Sequence, residues 1–485
     1  MVWVLLALIM ALLTGSVFVG NAAAKPVVLT WYFPNTPQPD QELVTAEINK
    51  ILMQRIHAKV EIHNIDWGTY ADKMKVMIAA GESFDVCYSG NWINDYVTNV
   101  GKGAFTPIDG LIAKYAKNYR KTVPKALLGA AKIKGKSYGM APLQVLGRGF
   151  DFIGAKKYFD KYGVDPASLK RLEDFTPFLE KIAANERGIY PVAMQFDGIL
   201  QDAWKYYGVE AFSDDNPAGI YMNDAKRKVV NLYETPEFKK HIALMREWYK
   251  KGFFRQDAAT FRDRMTDLRS KKYAVYFMTV NPDTPGNQAQ YFSESNSPKD
   301  VVTDFLTKKF MNSSGLMASF NAVSVTSKHP DLVVKMLDLF YDQKDTRLMD
   351  LMEYGIQGKH YKRIAKDLIE RIPNQGYWVD CGWEHGDLFT CSRTTPAQPS
   401  WDMGRKMNQE ALVSKIVGFS FDPTPVKSEL AQCQSVLGEF RPALVTGSVD
   451  PDTILPQLQA KLKGAGVDRV VAEIQKQLDA WKAAK

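Results

Sequence analysis

Alternating strand-like and helical patterns in residues 27–88 limit the fold more than any other feature of this chain. A β-rich run at 27–32 precedes a helical pattern at 40–56, and strand patterns at 60–65 and 84–88 flank a second helical pattern at 70–78. A β-α-β-α-β order implies parallel strands joined by right-handed crossovers. We therefore predict an α/β fold built on a parallel sheet.

The predicted helices have recognisable ends. Asp40 stands where an N-cap belongs, and Gly81 ends the second helical pattern because glycine readily adopts the left-handed conformation. Later segments predict a buried strand at 272–278, an amphipathic helix at 330–341 and a helical tail at 453–481. The mixture of strands and helices therefore continues along the whole chain.

The first 24 residues contain no charged side chain and end in small residues that include Ala22 and Ala24. This pattern predicts a signal peptide over 1–24, cleaved before Lys25, and hence a periplasmic or secreted protein. Two alternatives stay open: the segment is retained as a membrane anchor, or the true start lies upstream, since no Lys or Arg precedes the apolar run. No cysteine lies near the cut, so no lipobox is present.

Length and charge exclude some classes of protein. Without the leader the chain is long enough for two or three domains of about 100–200 residues. The net charge of +8 is spread along the chain, whereas nucleic-acid binding requires a basic stripe interleaved with aromatic residues. We expect no nucleic-acid partner, but a modest attraction for anionic small ligands.

The cysteines and the known catalytic motifs point to no metal, cofactor or reaction. The four cysteines show neither a Cys-x-x-Cys pair nor a Cys/His metal spacing: Cys87, Cys381, Cys391 and Cys433. In an oxidising compartment Cys381 and Cys391 can close a short disulfide loop, and four buried thiols are the alternative. The sequence contains no phosphate-binding loop, His-Glu-x-x-His or EF-hand spacing. A Gly-x-Ser-x-Gly pattern stands at 135–139, but it lies in a predicted hairpin rather than at the strand-to-helix turn of a nucleophile elbow.

Tryptophans stand where the first three predicted strands end. Trp31 closes the first strand, Trp67 follows the second and Trp92 follows the third. Ligands of open parallel sheets bind beyond the carboxyl ends of the strands, so these rings are predicted to line one cleft, with Asn91 and Asp66 available to sugar hydroxyls. Core packing is the alternative for each ring. A second group surrounds the late cysteines: Trp378, Trp383 and Trp401.

Several short segments, in this order and spacing, resemble the extracellular solute-binding proteins of carbohydrate ABC importers (family 1), in the subgroup with a DUF3502-type C-terminal region. The longest are GIQGKHY at 355–361 and GFSFDPTPV at 418–426. The shorter ones lie at 29–32, 39–40, 65–67, 81–87, 103–105 and 188–191. Relatives of this kind are often lipoproteins, and this chain departs from them in lacking the N-terminal cysteine.

The resemblance implies a two-lobed periplasmic-binding-protein type II-like fold with a hinge and an inter-lobe cleft. The first lobe would comprise 25–141 and 317–355. The second would comprise 142–316 and 356–485, including a C-terminal helical region from about 426. The chain would cross between the lobes near Pro142, Leu316 and Gly355.

The resemblance also implies a function. The protein would be the substrate-binding component of an ABC importer, a monomer that closes on an oligosaccharide and delivers it to the transmembrane permease subunits. An oligosaccharide that contains uronic acid is one candidate ligand. The implied ligand-binding residues are Trp31, Trp67, Asn91, Trp92, Gln144, Asp197, Trp204 and Trp383. Two alternatives are a secreted carbohydrate-active hydrolase or lyase, and a structural or sensory partner of a membrane receptor.

Overall fold

The structure, a computed structural model, describes residues 25–213, 215–282, 284–395 and 401–483. The predicted signal peptide lies outside the described residues. Among the helices that are described, none has the length and apolar character needed to cross a bilayer.

A five-stranded sheet forms the centre of the first lobe. Its strands lie in the order Ala58–Ile65, Val27–Pro34, Val86–Ser89, Phe320–Val323 and Gly139–Met140. The first three are parallel, as predicted, and the fourth runs antiparallel to both of its neighbours. Because this antiparallel strand returns from far along the sequence, the lobe is built from separate chain segments.

The second lobe has a four-stranded sheet in which only one pair is parallel. Its order is Val301–Phe305, Asp151–Ala155, Tyr273–Met278 and Tyr190–Val192, and the last two are the parallel pair. A smaller antiparallel sheet contains Val229–Asn231, Ala218–Tyr221 and Val209–Ala211. The remaining strands are short: Lys132–Ile133, Lys136–Ser137, Phe310–Met311, Tyr361–Ala365, Leu368–Arg371, Arg393–Thr394 and Leu412–Val413.

Helices cover the sheets and form most of the C-terminal region. The α-helices are Gln41–Ile56, Tyr70–Ala80, Tyr96–Gly101, Asp109–Tyr115, Lys117–Thr122, Lys125–Ala130, Lys156–Tyr162, Thr176–Asn185, Leu200–Tyr206, Pro236–Lys250, Arg264–Arg269, Thr284–Phe292, Ser313–Leu316, Pro330–Leu339, Arg347–Tyr354, Trp401–Glu410, Lys427–Val445, Pro451–Gly464 and Val467–Ala483. Short 3-10 helices are Pro166–Ser168, Leu172–Phe175, Leu232–Glu234, Pro298–Asp300, Leu388–Thr390 and Thr424–Val426. Gly81 ends its helix at φ +67°, as predicted.

Buried apolar side chains form three clusters, which we call the first, second and third cores. The first surrounds the five-stranded sheet, the second surrounds the four-stranded sheet, and the third lies between the small sheet and the last three helices. The chain leaves the first core between Leu146 and Phe150, and it returns between Val301 and Met311. These two passages lie close to the predicted ones.

The predicted third crossing near Gly355 is wrong, because the chain stays on the first core until Met407 and reaches the third core only at Ile416. The segment after Gly355 is tied back to the first helix. Nδ1 of His360 accepts from the Ile356 N–H, so Nε2 carries the proton and donates to Asp40 at 3.0 Å.

Asp40 therefore works differently from the predicted helix cap. It precedes the first helix, but its side chain makes no capping hydrogen bond. Its carboxylate instead binds His360 and, at 3.1 Å, Lys359. Hydrogen bonds from these two residues, that of His360 first, lower the pKa of Asp40.

The helix Pro236–Lys250 joins the second core to the third. Met245 and Trp248 pack into the second core, whereas Phe238 and Ile242 pack into the third. One amphipathic helix thus serves both clusters, and the C-terminal region is packed against the second lobe.

His241 in this helix gives stability a defined pH dependence. The ring is fully buried, and desolvation lowers its pKa from 6.5 to about 3. The unfolded chain binds a proton below about pH 6.5 and the folded protein does not, so this contribution is complete above that pH and is lost towards pH 3. We expect the free energy of unfolding to fall by up to about 1.4 kcal/mol for each pH unit of acidification in this range.

Urea unfolding of the wild type and of His241→Phe between pH 4.5 and 7.5 measures this contribution. The variant should show a shallower fall in the free energy of unfolding on acidification. Equal slopes in the two proteins would contradict the assignment.

Candidate ligand-binding site

A cavity of about 1160 Å³ lies between segments that pack on the first core and segments that pack on the third. Its volume exceeds the usual range of about 300–1,000 Å³ for small-molecule pockets. On the side of the first core, its lining includes Asn91, Trp92, Gln144, Ser319 and Trp383. A cavity bounded by separately packed units suits a ligand larger than a single small molecule.

Three tryptophans form a stacked group at this cavity. Trp67 lies 6.0 Å from Trp92 and 6.0 Å from Trp383 between ring centroids, with interplanar angles of 22° and 27°. Trp92 and Trp383 are 6.1 Å apart. We call Trp67, Trp92 and Trp383 the tryptophan group.

The ends of the parallel strands bring two of these rings together. Trp67 follows the strand Ala58–Ile65 and Trp92 follows Val86–Ser89, and these strands flank Val27–Pro34. The two rings are brought together, but the predicted lining of the cavity holds only for Trp92. Trp92 lines the cavity and is 53% exposed, so a large part of its face is available, while Trp67 stacks beside it without lining the cavity itself.

Trp31 does not line the cavity, and this prediction is wrong. The first strand continues to Pro34, which leaves Trp31 in the middle of the strand rather than at its end. Its side chain is completely buried, and the ring meets Phe340 and His385 edge to face at 5.2 and 5.5 Å. Trp31 is a core residue, as the alternative of core packing anticipated.

Trp31 is nevertheless linked to the site through Asn321. The Trp31 indole N–H donates to Oδ1 of Asn321 at 2.9 Å. Nδ2 of Asn321 donates to the backbone carbonyls of Glu384 at 2.8 Å and His385 at 3.2 Å. These two residues directly follow Trp383, so the buried amide holds the loop that carries this ring.

Asn91 and Gln144 are both found at the cavity, as predicted. Asn91 is exposed and its Nδ2 donates to the Ser314 carbonyl at 2.9 Å. Gln144 is buried, with Nε2 donating to Ser319 at 3.1 Å and Oε1 accepting from Arg148 at 3.2 Å. Amide and hydroxyl groups of this kind match the hydrogen-bonding needs of sugar hydroxyls.

Arg148 was missed by the sequence analysis. Of the described residues that line the cavity, it is the only one with a positive charge, and no carboxylate among them lies within the 4.0 Å of an ion pair. Burial lowers the pKa of its guanidinium. Two carboxylates, those of Asp95 and Asp215, line the same cavity, and Asp215 pairs with Arg441 at 3.0 Å.

Asp197 and Trp204 are not brought to this cavity, contrary to the prediction. They line a separate pocket of about 40 Å³ together with Tyr233 and Arg441. Trp204 is buried against Phe238 in the third core, with ring centroids 6.2 Å apart. Asp197 accepts instead from Gln195 at 3.0 Å and lies 3.8 Å from Arg264.

The predicted disulfide between Cys381 and Cys391 is wrong, because both are free thiols. The backbone N–H of Cys381 donates to Glu353, whereas the carbonyl of Cys391 accepts from the Trp401 indole at 2.8 Å. The two ends of the loop are therefore held by separate hydrogen bonds. Cys87 and Cys433 are also free. The alternative of four buried thiols holds for Cys87, Cys391 and Cys433, whereas Cys381 is only partly buried.

A second aromatic surface closes the other side of the cavity and was also missed. It contains Phe212, which follows the strand Val209–Ala211, and Phe419 and Phe421, which precede the last three helices. We call these three residues the phenylalanine wall. In the sequence, the segment 418–426 contributed only to the family resemblance. Its alternating aromatic residues could have indicated that it lines a ligand site.

Comparison with known proteins gives two family matches. The profile of the family described as "Bacterial extracellular solute-binding protein" matches residues 34–346. A second profile, "Domain of unknown function (DUF3502)", matches residues 415–483. The first match covers more than half of the chain and the second covers the C-terminal helices, while residues 347–414 lie between the two.

Similar proteins are known from Streptococcus pneumoniae. A "carbohydrate ABC transporter substrate-binding protein" of serotype 4 is 29% identical over 471 residues, covering 95% of this chain and 91% of that protein. The crystal structure of the N-glycan transport solute binding protein NgtS superposes with a TM-score of 0.84 at 26% identity, covering 95% of this chain and 100% of that one. The TM-score is 0.74 for NgtS with Man1GlcNAc, over 93% of this chain and 99% of that one. For NgtS with Man5GlcNAc the TM-score is 0.70, over 95% of this chain and 99% of that one.

Replacing Asn321 by alanine should destabilise the first lobe. The change leaves the buried Trp31 indole N–H and two carbonyl groups without partners, so we expect a loss of about 2–4 kcal/mol in the free energy of unfolding. Asn91→Ala is the matched control, since removal of this exposed amide should lower the free energy of unfolding by less than about 0.5 kcal/mol. Urea unfolding measures both, and an equally small loss in the two variants would contradict the anchoring of this loop by Asn321.

Proposed function

We propose, for a chain that belongs to the bacterial extracellular solute-binding proteins, that the cavity captures a neutral oligosaccharide containing mannose and N-acetylglucosamine. The chain is the substrate-binding component of a carbohydrate ABC importer, and it is not an enzyme. The hydrolase or lyase considered from the sequence is thereby replaced by a binding protein. A transmembrane permease is the implied partner that receives the ligand.

The single observation that carries the proposal is the tryptophan group at the edge of a large cavity with both aromatic and polar lining residues. Indole faces pack well against the apolar C–H faces of sugar rings, and the half-exposed ring of Trp92 presents such a face. Asn91 and Gln144 lie beside it with amide groups for the hydroxyls. A micromolar dissociation constant requires a net binding free energy of about −8 kcal/mol, which a few such contacts supply.

The choice of sugar rests on the relative and on the charges of the cavity. NgtS is described as an N-glycan transport protein and has been crystallised with Man1GlcNAc and Man5GlcNAc. Asp95 opposes a strongly anionic ligand, whereas the charge of Asp215 is balanced by Arg441. Arg148, without a carboxylate partner among the described residues, favours the second candidate, an oligosaccharide with one uronic acid.

Capture proceeds by closure of the lobes on the ligand. A ligand that contacts both sides of the cavity stabilises the closed state, because its differential affinity for the two states shifts the equilibrium. The decrease in TM-score from 0.84 to 0.74 and 0.70 between NgtS and its two complexes supports a cleft that changes shape. We propose that the protein acts as a monomer, after removal of the leader at Ala24.

Calorimetry with two oligosaccharides tests the function directly. The wild type should bind Man5GlcNAc with micromolar affinity and no turnover, and should bind an aldouronic oligosaccharide more weakly. Tighter binding of the aldouronic sugar would replace the neutral ligand by the second candidate. Absence of binding to both would contradict oligosaccharide capture by this cavity.

Replacing Trp92 by alanine should weaken binding of Man5GlcNAc at least about tenfold, or ~1.4 kcal/mol, because a stacking face is removed from the cavity. Trp378→Ala is the matched control, since this half-buried ring packs on Tyr354 at 4.9 Å and does not line the cavity. Circular dichroism checks that both variants are folded. Equal affinities of Trp92→Ala and Trp378→Ala would show that Trp92 makes no contact that contributes to binding.

A further inference from the structure

We propose that the C-terminal region of unknown function, residues 415–483, is the second wall of the sugar site and holds the distal end of long oligosaccharides. The inference rests on the proposed function and deepens it, since it assigns to this region the selection of ligand length. The region supplies several residues of the lining: Ile416, Phe419, Ser420, Phe421, Pro423, Leu430 and Gln434.

The aromatic part of this wall is held in place by neighbours on both sides. Phe419 meets Phe212 at 5.8 Å and Trp481 at 5.8 Å between ring centroids, both edge to face. The Trp481 indole N–H donates to the Gly418 carbonyl at 3.1 Å. The last helix and the small sheet therefore fix the position of Phe419, and its half-buried ring leaves part of its surface to the cavity.

A buried carboxylate fixes the start of the same wall. Glu210 accepts from the Ser313 N–H at 2.8 Å and from the Ser414 hydroxyl, and Ser414 in turn accepts from the Ile416 N–H at 3.1 Å. Ser313 and Ile416 both line the cavity. Glu210 thus connects the small sheet to two segments of the lining, which gives this side of the cavity a defined shape before any ligand arrives.

These lining residues differ from the core residues of the same region. Leu437, Leu458 and Ile474 are buried in the third core and do not line the cavity. Phe421 is half-buried and Gln434 is exposed, and both face the cavity instead. An aromatic ring beside an exposed amide is also what the tryptophan group offers together with its neighbouring amides. This wall is therefore also suited to contact a sugar residue.

The two aromatic surfaces belong to different cores. The tryptophan group packs on the first core and the phenylalanine wall on the third, so a ligand reaches both only by spanning the cavity. A disaccharide seated on the tryptophan group leaves the phenylalanine wall unoccupied. A longer, branched oligosaccharide contacts both, and its extra affinity comes from the C-terminal region.

Affinity measured against ligand length tests this assignment. Calorimetry with Man1GlcNAc and with Man5GlcNAc is performed on the wild type, Phe421→Ala and Gln434→Ala. Phe421 and Gln434 are chosen because neither holds Trp481 or Phe212, so both variants should fold. The matched control is Val436→Ala, a half-buried residue of the same region that does not line the cavity.

The expected result is a loss that depends on ligand length. Phe421→Ala should lose at least about tenfold in affinity for Man5GlcNAc and less than about twofold for Man1GlcNAc, whereas Trp92→Ala loses affinity for both. Gln434→Ala should show a smaller loss of the same kind, and Val436→Ala no change. Equal losses for the two sugars, or no loss for either, would overturn the assignment. Failure of the wild type to bind either sugar would instead refute the proposed function, and this inference with it.

Discussion

The side-chain amide of Asn321 is the interaction on which the geometry of the site depends. It lies on the antiparallel strand Phe320–Val323, accepts from the Trp31 indole and donates to two carbonyls of the loop that carries Trp383. The same loop pairs with Leu143, whose N–H donates to the Gly386 carbonyl at 2.8 Å. Burial of an amide that keeps all three hydrogen-bond partners costs little folding free energy, whereas loss of one partner leaves unsatisfied polar groups in the core. The position of Trp383 is therefore specified from within the first lobe.

The division of the apolar side chains into three cores explains why a cavity of this size persists. Each core is packed on its own, and the chain passes between the first core and the others only at three places. The helix Pro236–Lys250 joins the second core to the third but does not reach the first. One part of the cavity lining thus packs on the first core and another part on the third. The proposed closure would move these parts about the connecting segments without disrupting any core.

Local patterns predicted the fold better than they predicted the site. The alternating strands and helices, and the left-handed Gly81, depend on short stretches of sequence, and all were correct. The prediction for Trp31 failed because the end of its strand was placed three residues too early. Trp92 lines the cavity as predicted, whereas Trp67, which also follows its strand, stacks on Trp92 without lining the cavity.

The remaining errors concern contacts between distant segments. The segment after Gly355 stays on the first lobe because of His360 and Asp40, residues 320 positions apart. Likewise, Trp204 is covered by the C-terminal helices, and the spacing of Cys381 and Cys391 does not reveal that separate hydrogen bonds hold them. Contacts over such sequence distances leave no periodicity that a single sequence displays.

A crystal structure of the protein with Man5GlcNAc tests the central claim most directly. The account predicts sugar residues stacked on Trp92 and Trp383 at one end of the cavity and on Phe421 at the other, with the two walls closer together than in the ligand-free protein. A sugar bound on another surface, or one that occupies the cavity without touching the tryptophan group, would contradict it.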